Sequence, residues 1–182
     1  MNEYEGHWIE TYTGRKFHFL APRVEEIDIR DIAHALSLTC RYGGHCRVFY
    51  SVAEHSIRVA EIVPEECKLL ALLHDAAEAY LVDLPRPIKH ILSDYKGIED
   101  ATTSIIWRKF VGDWTAIQEY TIKQADNVLI ATEARDLMVN TTDWEELPEP
   151  LPGRIDPYRC HDIIEDFFLA KFREYCKDWR KY

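Results

Sequence analysis

Apolar residues recur along most of this chain at helical spacing, and stretches of strand-like alternation are few. Residues 7–20 are the exception. They carry Thr and aromatic side chains around a single glycine, a composition suited to a short hairpin or an extended arm. Asp28 is placed to cap a helix with Ile29, Ile32, Ala33 and Leu36 on one face, and Gly43-Gly44 breaks that pattern. Ser51-Val52-Ala53-Glu54 has the form of a capping box and predicts a helix start. His55 then falls in the first turns, and Val52, Val59, Ile62 and Val63 face the core. Pro64-Glu65-Glu66 marks the next start. Residues 67–81 are apolar nearly all round and predict one central buried helix, ended by Leu84-Pro85-Arg86-Pro87. Further helices are expected over 95–110, 115–138 and 158–175, with a Pro- and Gly-rich loop at 147–153. The expected class is all-α, in a single domain over residues 1–182 with a short N-terminal hairpin or arm.

Inside the apolar stretch sit three groups that do not belong in a plain core. His74, Asp75 and Glu78 follow Leu69-Leu70-Ala71-Leu72-Leu73. On a continuous helix Glu78 lies four residues from His74 and three from Asp75, so it shares their face. Buried imidazoles and carboxylates are costly unless hydrogen-bonded, paired or metal-bound. His55 and Asp126 are predicted on two other helices, nineteen residues before His74 and fifty-one after Asp75. Ligands on separate helices are how metal sites form inside helical bundles. Two imidazoles and two carboxylates make a mixed nitrogen and oxygen set, suited to Mn, Fe, Co, Zn or Mg with positions left open.

Composition narrows the partner class. The 182 residues carry a formal net charge of −10 with 47% hydrophobic residues, which fits a globular protein and argues against a nucleic acid polymer as partner. The five cysteines are scattered with no CxxC, as expected of reduced thiols in a cytoplasmic protein. No apolar run approaches membrane-spanning length, and the first residues lack the features of a secretory leader.

The same residues, with their flanks, resemble the HD-domain metal phosphohydrolases, whose pattern is H…HD…D on separate helices. The resemblance runs through 31–37, through Arg41-Tyr42-Gly43-Gly44-His45, through 50–56 and through 73–80. It continues over Asp83-Leu84-Pro85-Arg86-Pro87-Ile88-Lys89 and Ala125-Asp126, and so spans roughly residues 8 to 175. The subfamily it points to contains bacterial 5′-deoxynucleotidases, phage dATP triphosphohydrolases and the HD enzyme of oxetanocin biosynthesis. That likeness implies an HD-domain helical bundle that removes phosphate from deoxynucleotides, with a metal-activated water as nucleophile. It implies His55, His74, Asp75 and Asp126 as metal ligands, Glu78 as the proton-handling group and Asp83 as its partner, with room for a further Mg bridging phosphates. Arg41 and Tyr42 match an Arg-Trp pair that contacts substrate in relatives, Tyr standing here in place of Trp. Lys89 and Arg47 are the other expected phosphate contacts. Such relatives are often dimers or larger, so a homo-oligomer is expected.

Blander expectations accompany these. His34 reads as structural or as support behind the site, and His45 as a loop residue. Glu133 and Arg135 read as a solvated or ion-paired helix face, and Phe167, Phe168, Phe172 and Tyr175 as core or a dimer surface. Two other activities compete: hydrolysis of guanosine tetraphosphate, whose enzymes carry Glu-Asp where this chain has Glu78-Ala79, and cyclic-nucleotide cleavage, whose added motif is absent. A catalytically silent nucleotide sensor would be signalled by loss of a ligand or of Glu78, and all are present.

Overall fold

The computed structural model describes residues 6–142, 144 and 146–182. Among them are eight helices and one two-stranded hairpin, so the chain is mostly helical with a short N-terminal β-element. The hairpin pairs β1 (Trp8–Glu10) with β2 (Lys16–His18) antiparallel, with Ile9 opposite Phe17. Phe17 points inward, fully buried, and stacks on Tyr80 at 4.1 Å between ring centroids. The turn is tied down by Thr13, whose backbone N–H and hydroxyl donate to Asp31.

α1 (Ile29–Leu38) starts at Asp28, whose carboxylate accepts from the Arg30 N–H. α2 (Val52–Glu61) starts at Ser51, whose hydroxyl accepts from the Glu54 N–H. The reciprocal half of that capping box is missing. The Glu54 carboxylate is buried and instead accepts from Arg58 and from the Tyr158 N–H, tying α2 to the segment before the last helix. Val52, Val59 and Val63 are core as expected, whereas Ile62, where α2 ends, is 38% exposed.

The stretch expected as one helix over 67–81 is broken. α3 (Lys68–Leu72) ends at Leu73, residues 73–77 run as consecutive turns, and α4 (Glu78–Leu81) resumes. Uniform apolarity marks this segment as buried but contains no stop signal, so the break has no trace in the hydrophobic pattern. Instead of stacking on one continuous face, His74 and Asp75 lie in turns and Glu78 begins a new helix.

After α5 (Arg86–Lys89), α6 (Ser93–Phe110) and α7 (Ala116–Leu137) form the two longest helices. Thr115 caps α7 through a full capping box with Gln118. α8 (His161–Tyr175) packs across α1, α2 and α3. The core lies between these layers, with Ile32, Leu36, Leu70, Leu72, Ile106 and Phe168 all essentially inaccessible. No helix among the described residues is long and apolar enough to cross a membrane.

Candidate metal centre

α2 and the turns after α3 meet at three residues, with α7 alongside. Ligand-capable atoms of His55, His74 and Asp75 all lie within 4.8 Å of one another. The Nε2 atoms of His55 and His74 stand 3.6 and 3.2 Å from Asp75 Oδ2, and Asp126 on α7 puts Oδ1 3.3 Å from His55 Nε2. Three of the four ligands expected from the sequence therefore converge, and Asp126 lies beside them against His55. Its other oxygen is held by Lys123 at 2.8 Å, and Arg86 approaches to 3.7 Å.

The tautomers of both imidazoles are set from behind. His74 Nδ1 is 2.7 Å from the Ala71 carbonyl, which can only accept, so Nδ1 carries the proton. His55 Nδ1 is 2.6 Å from Glu133 Oε1. Burial by itself would raise the Glu133 carboxyl, but the charges of His55 and Arg41 outweigh it and pull the group down to about 2, so it too accepts. Each ring then directs Nε2 into the cluster; burial and the Arg41 charge would lower the His55 group, but Glu133 and Asp126 outweigh them and raise it to about 9, so a cation would take the place of a proton there. Both Nε2 atoms are buried without a hydrogen-bond partner among the described residues, an arrangement that a cation would complete. The residues present therefore fit a divalent ion.

Glu133 is the residue that sequence reasoning placed on a solvated or ion-paired face. It is ion-paired but fully buried. It collects the Tyr42 hydroxyl at 2.6 Å and Arg41 Nη2 at 3.3 Å on Oε2, and His55 on Oε1. A signal for it exists: it lies two helical turns beyond Asp126 on α7, on the same face. Its neighbour Arg135 is exposed, as expected, and pairs with Asp136.

The expected substrate contacts are distributed unevenly. Arg41 is buried, with Nη1 3.6 Å from Asp75 Oδ2, and so belongs to the cluster. Tyr42 adopts φ 56° and Gly43 φ 60°, a left-handed pair that turns the phenol toward Glu133; the Tyr42 ring also lies 5.8 Å from that of Trp144. Tyr42 thus acts on His55 through Glu133, and burial and the Glu133 charge keep its hydroxyl protonated. Arg47 lies on an exposed loop joined to the end of α7 by its backbone N–H, and its side chain pairs with no site acid among the described residues. His34 pairs with Glu165 on α8 and stacks on Tyr12, away from the cluster.

Glu78 is buried at the start of α4. Burial, then the charges of Asp75 and Asp83, push its carboxyl well above the usual range. Oε1 accepts from Lys89 at 2.7 Å, and Lys89 also holds Glu99; Oε2 is buried without a partner. Asp83 is half-buried one residue beyond Val82, its charge bearing on both Glu78 and Arg41.

No protein-family model matches the chain. It is 37% identical over 146 residues to the uncharacterized protein YfdR of Escherichia coli K12, covering 80% of this chain and 81% of that protein. It is 34% identical over 142 residues to an uncharacterized protein of Rhodobacter capsulatus, covering 71% of this chain and 72% of that one.

Proposed function

The chain belongs to the family of Escherichia coli YfdR, and from its site we propose that it is an HD-type, divalent-metal-dependent phosphohydrolase acting on deoxynucleotides. The observation that carries this reading is the pair of buried, unpartnered Nε2 atoms converging with Asp75 beside a guanidinium and a protonatable carboxyl. A closed structural zinc site favours thiolates, and no cysteine is among the clustered ligands.

His55, His74, Asp75 and Asp126 would hold the cation. When bound, the cation supplies Lewis-acid polarisation of a phosphoryl oxygen and acidification of water. The protein's own groups do the rest. Glu133 and the Ala71 carbonyl hold the two imidazoles in the ligating tautomer. Arg41, already beside Asp75, offers a fixed positive charge where phosphoryl oxygens gain charge. Burial and the charges of Asp75 and Asp83 hold a proton on Glu78 more tightly than on an ordinary carboxyl, which suits it to general acid–base work. Lys89 offsets the charge of Glu78 and would be the cation nearest that acid for a phosphate to draw on. A protein of net charge −10 needs such local cations to admit a polyanion.

The test is phosphate release from a panel of deoxynucleoside mono-, di- and triphosphates with Mn, Co or Mg. Turnover with one class, abolished in Glu78→Ala while a metal remains bound, supports the reading. Absence of turnover with every nucleotide and metal refutes it.

A further inference from the structure

Between the two acids Glu78 and Asp83 the chain makes a turn that its sequence resists. Val82 adopts φ 76° and ψ 145°, a region that glycine takes freely and that a β-branched residue takes only when its surroundings force it. Packing is not the force. Val82 is 61% exposed, and its segment walls an open cleft of about 500 Å³ shared with Ile9, Phe19 and Ile98. Hydrogen bonds are the force. The Val82 N–H donates to the Glu78 carbonyl at 3.0 Å. The Tyr95 hydroxyl donates to the Val82 carbonyl at 2.6 Å and lies 3.4 Å from that of Leu81. One turn further along α6, Glu99 holds Lys89, which holds Glu78. A single face of α6 therefore grips the segment at both ends.

We propose that Tyr95 is a positioning residue: its hydroxyl clamps the Val82 peptide in a left-handed turn and so sets Asp83 against Glu78. The clamp is needed because, among the described residues, the Tyr95 hydroxyl alone donates to the Val82 carbonyl, and a relaxed Val82 would turn the chain toward Asp83 along a different path. The kinetic consequence rests on the phosphohydrolase reading; the structural one does not.

The experiment compares Tyr95→Phe, Val82→Gly and the double variant of the full chain. Tyr95→Phe is expected to lower kcat roughly tenfold, the worth of moderate backbone strain, with KM within about twofold. Adding Val82→Gly restores kcat to within about threefold of the unsubstituted chain, because glycine holds this turn unaided. A tyrosine that merely supported the fold would not be rescued from position 82. Unchanged kcat in Tyr95→Phe, or a loss that Val82→Gly does not recover, overturns the proposal. Thermal unfolding provides a readout without substrate. Tyr95→Phe lowers Tm by about 3 °C alone and by less than about 1 °C in the Val82→Gly background. If the unsubstituted chain hydrolyses no nucleotide, the phosphohydrolase reading falls, and the unfolding cycle still decides the clamp: equal losses in both backgrounds overturn it.

Discussion

Replacing Glu133 by Gln tests whether the site is organised for a cation. The buried carboxylate accepts from three donors, His55 Nδ1 on one oxygen and the Tyr42 hydroxyl and Arg41 Nη2 on the other. An amide of nearly the same shape keeps only one acceptor oxygen. If its NH2 group faces His55, the imidazole must offer Nδ1 as an acceptor, so its proton moves to Nε2 and the lone pair aimed at the cluster is lost. If the NH2 group faces the other way, it confronts Tyr42 and an Arg41 that cannot deprotonate. Loss of such an orienting partner lowers metal affinity about 10- to 100-fold, which is about 1.4 to 2.8 kcal/mol. The folded state also loses about 1 to 3 kcal/mol through donors left unsatisfied in a buried site. Calorimetric titration with Mn(II) or Co(II) reads the first effect and urea unfolding of the metal-free protein reads the second. Tyr42→Phe is the control. It removes one donor while leaving the carboxylate, so it should cost about 1 kcal/mol of stability and leave affinity within about threefold, the imidazole tautomer being unchanged. A folded Glu133→Gln protein that binds metal within twofold of the unsubstituted chain would refute the argument that Glu133 sets the His55 tautomer.

Other outcomes follow from contacts described above. His74→Ala removes one of the two Nε2 atoms directed into the cluster, and bound metal measured by elemental analysis should fall at least about tenfold with the far-ultraviolet circular dichroism spectrum unchanged. Glu54→Ala breaks the tie from α2 to Arg58 and the Tyr158 N–H, and should cost about 2 to 3 kcal/mol in urea unfolding; a loss under about 0.5 kcal/mol would count against a structural role for that buried acid. Burial by itself would raise the Asp28 carboxyl, but Arg30 and Arg15 outweigh it and hold the group below its ordinary 3.8. The stability it contributes is therefore present above that value and disappears as pH falls through the lower folded value. Asp28→Asn should be less stable than the unsubstituted chain at neutral pH and converge with it as pH falls through that lowered value, as followed by thermal unfolding.

What the sequence discloses follows the physics of each signal. Helix starts are readable because caps are local: Asp28 and Ser51 each accept the backbone N–H expected of them. That His74 and Asp75 serve a shared site is readable because such groups are too costly to bury alone, and the structure brings His55 to them. Glu133 escaped because a lone acid late in a long helix reads as solvated, although its two-turn spacing from Asp126 marks it. The break over 73–77 escaped because burial on all sides erases periodicity, and no Gly or Pro stands at the boundary. The motif points Tyr42 toward substrate, and its left-handed backbone, a property invisible in composition, also turns its hydroxyl onto Glu133.

The broken helix also bears on how the molecule breathes. α3 and α4 are five and four residues long, far below the length at which a helix holds itself together. Their coherence comes from neighbours, and the turns between them carry His74 and Asp75. A cation drawn between His55 on α2, Asp126 on α7 and those turns would act as a staple across the seam. Amide hydrogen exchange should then slow most sharply over residues 73–77 when metal is added, while the interior of α7 changes little.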